Sequence, residues 1–189
     1  MLSTLFRDRL GFFFFALSGL AALFVTWQHF NLLTVLAALH NLMLAAMYSQ
    51  RAPEKTYDRT GLWLGLMAAF LPMPFVPVEI APPLMAMGLA GYGLVFWSLV
   101  TLGQRFGLAP ADRGLVTEGP YRLVRHPMYL GELILRGALV LAPAPLVGLV
   151  PFSILVLIQT LRILREEKVI TGYEAYARLV KWRLIPFVF

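Results

Sequence analysis

Of the 189 residues, 59% are hydrophobic and only 14% are charged, against about 25% charged in an average soluble domain. The apolar residues come in long blocks rather than amphipathic stripes, which excludes a soluble domain and indicates an all-α, polytopic integral membrane protein. The absence of cysteine removes disulfides, thiolate metal sites and a cysteine nucleophile, and the net charge of +6 is distributed by a membrane rule rather than as a nucleic-acid footprint.

The first block, Leu10 to Trp27, follows Arg7 and Arg9. Taken alone it could be a signal peptide, but more apolar blocks follow and no small-residue cleavage site stands out, so a first transmembrane helix is expected. Gln28–Asn31 forms a short turn, and Leu32 to Tyr48 returns as the second helix. His40 and Asn41 lie inside it, where an interhelical hydrogen bond is the expected use of a polar side chain. After the basic segment Ser49 to Thr60, a third block runs from Gly61 to about Val78. Pro72, Pro74 and Pro77 should break its helix near Leu71. Pro82 and Pro83 open the fourth block, Leu84 to Leu102, in which Gly88, Gly91 and Gly93 permit close helix packing.

The polar segment from Gly103 to His126 is the longest interruption, with a turn signal at Gly119–Pro120. It feeds into a fifth block, Pro127 to Leu141, whose 15 residues span roughly 22 Å of the ~30 Å hydrocarbon core. Ala142-Pro143-Ala144-Pro145 should turn the chain tightly into the sixth block, Leu146 to Leu164, making a helical hairpin. The tail from Arg165 to Phe189 is amphipathic. Tyr173, Tyr176 and Val180 fall at helical spacing, which predicts a helix against the mouth of the bundle, with Ile185-Pro186 as its stop.

Basic residues sort by side. Two precede the first block, three follow the second, four follow the fourth and six lie from Arg162 to Arg183, while the three alternate loops hold none. Six spans with both termini in the cytoplasm account for this pattern, leaving only Arg136 inside a helix. The expected location is a bacterial inner membrane, with the basic side facing the cytoplasm.

Polar side chains suited to chemistry gather on that side. Pro127 suits the first position of a helix and pushes His126 out of the α region, so His126 should be a half-in cap. The free N–H groups and positive dipole end of this helix, with Arg122 and Arg125 beside them, suit a small anion. Gly131 lies one turn further on the same face, where a ligand could approach the backbone. The hairpin would bring Arg162, Arg165, Glu166 and Glu167 opposite. Adjacent glutamates point about 100° apart on a helix, so one should face the mouth while the other is solvated or paired. Arg162 with Glu166 and Glu132 with Arg136 are four apart and would serve as plain ion pairs. The sharper use of Arg136 is to await an anionic group of a lipid-soluble molecule. His29, His40 and His126 lack ligand-like spacing, so no metal is expected.

The ordered set LVTEGPYRLVRHPMYLGE, an apolar hairpin, REE and GYEAYARLVKWRLIP resembles the isoprenylcysteine carboxyl methyltransferase family and its phospholipid methyltransferase relatives. Arg125, His126, Pro127, Tyr129, Gly131, Glu166 and Glu167 meet the family pattern; Arg136 is outside it. The resemblance covers residues 103–189, a methyltransferase-like half, and leaves helices one to four in 1–102 without a signature. It implies S-adenosylmethionine bound in a cytoplasm-facing pocket and a lipophilic or lipidated acceptor arriving from the bilayer. Arg125 and His126 would suit the cofactor carboxylate, and Glu166 or Glu167 its ammonium or ribose diol. Tyr121, Tyr129, Tyr173 or Tyr176 would cover the adenine or sulfonium. Arg125, His126 and Glu167 are the expected catalytic group, with Glu132 and Arg136 on the acceptor side. The resemblance favours a carboxylate acceptor; the alternatives are a phospholipid amine, an NADPH-dependent enzyme like the sterol reductases, and a non-enzymatic channel or scaffold.

Overall fold

The computed structural model describes residues 4–71, 79–142 and 145–189. The proline-rich half of the third block, including Pro72, Pro74 and Pro77, lies outside the described residues, as do Pro143 and Ala144 of the expected hairpin turn. Among the described residues the chain is helical, with α1 (Thr4–Gln28), α2 (Leu32–Ser49), α3 (Arg59–Phe70), α4 (Pro82–Leu102), α5 (Pro127–Leu141), α6 (Pro145–Val169) and α7 (Tyr173–Leu179). Short 3-10 turns cover Gly103–Arg105 and Gly119–Arg122, and the Tyr57–Ala111 bridge is isolated.

Four of these helices, α1, α2, α4 and α6, are long and apolar enough to cross a bilayer. The chain is an integral membrane protein. The other two expected spans are short: α3 has 12 residues and α5 has 15, about 18 and 22 Å at 1.5 Å per residue against a ~30 Å core. As expected, α3 stops before Leu71, whose backbone is extended. The chain divides into two compact units: Met1–Pro53 with Gly103–Phe106, and Glu54–Leu102 with Gly107–Phe189.

The first unit is an antiparallel pair. Asn31 caps α2, its side-chain oxygen accepting from the Leu33 N–H at 2.8 Å, which closes the turn from α1. Gly11 faces the Tyr48 ring and Gly19 faces Leu42, so the two helices approach closely where α1 has no side chain. Asn41 does not bridge helices as expected. Its amide donates to the Ala37 carbonyl at 2.8 Å, within its own helix, because a short polar side chain reaches the preceding turn more readily than a neighbour.

The second unit holds everything that follows. Asp58 caps α3 by accepting from the Thr60 N–H at 3.0 Å and takes two donors from Arg165 of α6, at 2.5 and 2.8 Å. Ala68 of α3 packs with Leu155 and Ile158 of α6, joined by Leu133 of α5. Helices α4 and α5 cross at Gly91 and Gly131, where a Cβ on either would fall 2.8 Å from the other's carbonyl oxygen. Helix α6 continues past its apolar block to Val169 and carries Glu166 and Glu167 at its end, as expected, because Arg165 to Lys168 are good helix formers. The tail departs from the sequence expectation in being mostly not helical: α7 has only 7 residues, and residues 180–182 run free of helix before bends and a turn over 183–188, with the Trp182 and Arg183 carbonyls accepting from the Arg125 and His126 N–H groups at 2.8 and 2.9 Å.

Candidate functional site

The site gathers where the start of α5, the end of α6, α7 and the tail meet. His126 occupies the cap position with φ −129° and ψ 61°, as its place before Pro127 requires. Its carbonyl accepts from the Leu130 N–H at 3.1 Å, closing the first turn, and its ring is buried. Tyr129 and Tyr173 both stack with the His126 ring, at centroid distances of 5.7 and 6.0 Å. The Tyr173 hydroxyl lies 2.9 Å from His126 Nε2, and Glu167 Oε1 is 3.3 Å from the same nitrogen.

Glu167 is the electrostatic centre. Arg125 Nη1 approaches its Oε1 at 3.1 Å, and Arg183 donates to both oxygens, Nε to Oε1 at 3.0 Å and Nη2 to Oε2 at 2.9 Å. A planar guanidinium matched to a carboxylate in this way is among the stronger charge-assisted contacts. One turn along α5, the Tyr129 hydroxyl donates to Glu166 Oε2 at 2.8 Å. Of the two fates expected for the second glutamate, solvation or pairing with a basic residue, Glu167 takes the pairing, with Arg125 and Arg183, while Tyr129 reaches Glu166.

The Arg162–Glu166 pair expected from their spacing does not form. Arg162 is buried and donates to Gln159 Oε1 at 2.8 Å and to the Leu108 carbonyl at 3.0 Å, its guanidinium 4.8 Å from the Tyr129 ring centre. The anion cradle expected at the start of α5 is also altered. The Arg125 and His126 N–H groups are taken by the tail carbonyls, Arg125 turns to Glu167 and Arg122 is exposed. Gly131 faces α4, so the close approach there is by a helix, not by a ligand.

A tyrosine wall completes the site. Tyr121, Tyr173 and Tyr176 are buried together with Val116, and the Tyr176 hydroxyl donates to the Tyr121 carbonyl at 2.6 Å. Burial pushes all three phenols above their ordinary range, and the Glu167 and Glu166 charges add to the effect at Tyr173. They therefore remain neutral and protonated.

Three contributors were not singled out from the sequence as site residues. Arg183 was read only as a membrane-boundary residue. Asp112 is buried and accepts from the Thr171 hydroxyl at 2.6 Å and the Gly114 N–H at 3.0 Å, tying the loop to the α6–α7 corner. Gln159 lies within an apolar span and donates to Glu132 Oε2 at 2.6 Å; the rule that a polar residue at membrane depth is a functional candidate would have found it.

Residues 84–172 match the isoprenylcysteine carboxyl methyltransferase (ICMT) family. The chain carries a domain of that family. No curated protein gives a significant match. The ICMT segment contains Arg125, His126, Tyr129, Glu166 and Glu167 and ends at Gly172. Tyr173, Tyr176 and Arg183 thus lie beyond it, yet their side chains complete the contacts of the ICMT residues.

Proposed function

We propose that the chain is a membrane methyltransferase using S-adenosylmethionine, with a lipophilic acceptor drawn from the bilayer. The observation that carries the reading is the convergence of Arg125, His126, Glu166 and Glu167 with the buried tyrosines, inside a segment matching the ICMT family.

The residues fit the cofactor chemically. A carboxylate, an ammonium, a ribose diol and an adenine require a cation, carboxylates and aromatic faces respectively, and these stand within one cluster. Arg125 is buried and its Nε has no hydrogen-bond partner, which suits a ligand anion. Glu167 and Glu166 suit the ammonium or the diol, and Tyr173 with Tyr176 the adenine or the sulfonium face. When bound, the cofactor supplies an electrophilic methyl group. The protein's part is to position and to exclude water: Arg183 and Arg125 fix Glu167, Tyr129 fixes Glu166, and the tail covers the start of α5.

A carboxylate acceptor, as in isoprenylcysteine methylation, needs no base, and the reading favours it because the site is rich in cations. An amine acceptor would require His126 or a glutamate to take a proton. The basic loops support a site facing the cytoplasm, where the cofactor is available.

Calorimetry on the purified protein in nanodiscs tests the reading. Saturable heat with S-adenosylhomocysteine, lost in His126→Ala and Glu167→Ala, is expected, together with transfer of labelled methyl from S-adenosylmethionine into a membrane lipid extract. Binding of NADPH with no response to S-adenosylhomocysteine would overturn it.

A further inference from the structure

Helix α5 carries two charged residues within its apolar run, Glu132 and Arg136, and the ion pair expected between them is a loose one. Arg136 Nη2 stands 3.8 Å from Glu132 Oε1, beyond hydrogen-bonding distance. Glu132 is held elsewhere: its Oε2 accepts from Gln159 Nε2 at 2.6 Å. Gln159 is fully buried and is itself fixed by Arg162, which donates to its Oε1 at 2.8 Å. A chain of hydrogen bonds thus draws Glu132 towards α6 and leaves Arg136 with a loose Coulombic contact. Among the described residues Arg136 makes no hydrogen bond, although its side chain is only 24% exposed.

Such an arrangement is costly if it has no use. A guanidinium offers five donors and stays charged at any working pH. At membrane depth water does not supply acceptors, and a charge there normally faces a partner or a cavity. Glu132 and Arg136 lie on the α5 stripe that begins at Tyr129, three and seven residues on, between the face turned to α4 (Gly131, Leu135) and the face turned to α6 (Leu133). A helical side chain leans towards the N-terminus of its helix, so the Arg136 guanidinium is aimed back along this stripe. The loose Glu132 contact is one that a better-placed oxyanion could replace without leaving Glu132 unpaired, since Gln159 retains it.

We infer that Arg136 is a binding site for a lipid-borne oxyanion, a carboxylate or phosphate carried by a hydrophobic tail, reached from the bilayer and backed by the Glu132–Gln159–Arg162 chain. The site stands apart from the methyl-transfer reading and does not depend on it.

The test uses full-length protein in phosphatidylcholine nanodiscs and measures retention of radiolabelled palmitate, phosphatidic acid and hexadecylamine. Retention of palmitate or phosphatidic acid, but not of hexadecylamine, is expected, and the retained probe identifies the source of the anion. R136Q should weaken retention by about tenfold or more, the size of one charge-assisted hydrogen bond. R136K should recover part of it, and E132Q should retain or tighten binding because a repelling carboxylate is gone. Thermal unfolding of each variant is recorded in parallel; where R136Q does not fold, R136K and E132Q decide. Equal retention in the wild type and R136Q, loss of retention in a folded E132Q, equal uptake of hexadecylamine, or unfolding of both R136Q and E132Q, as a purely structural ion pair would give, would each overturn the inference. Methyl transfer that proceeds while R136Q retains palmitate normally would sink this site and leave the methyltransferase reading standing. Anion retention without methyl transfer would do the reverse.

Discussion

Arg183, near the end of the chain, grips both oxygens of Glu167 on α6, at 2.9 to 3.2 Å. The same residue's carbonyl accepts from the His126 N–H at 2.9 Å. One tail residue therefore fixes both the acid of the Glu-Glu pair and the backbone of the histidine opposite it. The two halves of the site are held by a strap rather than by the hairpin alone.

Removing either end of this grip should have unequal effects. Glu167→Gln leaves Arg125 and Arg183 without their shared anion and is expected to weaken S-adenosylhomocysteine binding roughly ten- to hundredfold, as for loss of a hydrogen bond to a charged group. Arg183→Ala leaves Arg125 and His126 on Glu167, and its side chain is 30% exposed, so about 1 kcal/mol of stability is expected to be lost. Amide exchange at Arg125 and His126 should accelerate in that variant. Calorimetry and hydrogen exchange on the two proteins check the contrast.

Acid should loosen the loop before it unfolds the helices. The Thr171 hydroxyl holds the Asp112 carboxyl below its ordinary value, against burial, which acts the other way. A depressed folded-state value means that the stabilisation is complete above the unfolded pKa, about 3.9, and is lost as pH falls through the folded one. Asp112→Asn should flatten this acid limb and, by leaving Thr171 and Gly114 less well satisfied, cost roughly 1–3 kcal/mol at neutral pH. Folded fraction against pH, followed by tryptophan fluorescence between neutrality and strong acid, distinguishes the two proteins.

Tyr129 and Tyr173 stack with the same imidazole but tie down different glutamates. Tyr129→Phe frees Glu166 from its 2.8 Å donor, whereas Tyr173→Phe removes the hydroxyl at 2.9 Å from His126 Nε2. Both keep the stacked ring, so each should cost about 1 kcal/mol in stability. Only Tyr173→Phe should change the histidine nitrogen signals in a nitrogen-15 spectrum.

Much of this was legible in the sequence. The bounds of α5 were read as Pro127 to Leu141 and are found there, because a proline at the first helical position and a clean apolar run leave little choice. The meeting of Glu166 and Glu167 with Tyr129 and His126 followed from the hairpin. What was not legible depended on partners distant in the chain. Arg162 left Glu166 for Gln159 and the Leu108 carbonyl, and local spacing alone could not disclose that competition. The non-helical strap after Val180 was missed because Tyr173, Tyr176 and Val180 share a helical period, while its carbonyls found donors in Arg125 and His126.

Gly131 separates two explanations of the same small residue. Its place in the motif suggested room for a ligand, yet a Cβ there would fall 2.8 Å from the Gly91 carbonyl oxygen and 3.0 Å from the Val95 N–H nitrogen. Both obstacles are backbone atoms of α4, which cannot move aside as a side-chain tip can. Gly131→Ala should therefore push α4 and α5 apart and cost about 1–3 kcal/mol, the usual range for overpacking. Thermal unfolding should show the loss with or without S-adenosylhomocysteine, and the reciprocal Gly91→Ala should match it, since its Cβ would fall 2.7 Å from the Leu135 nitrogen. A Gly131→Ala protein of unchanged stability that binds S-adenosylhomocysteine poorly would mean that the ligand, not α4, requires the glycine.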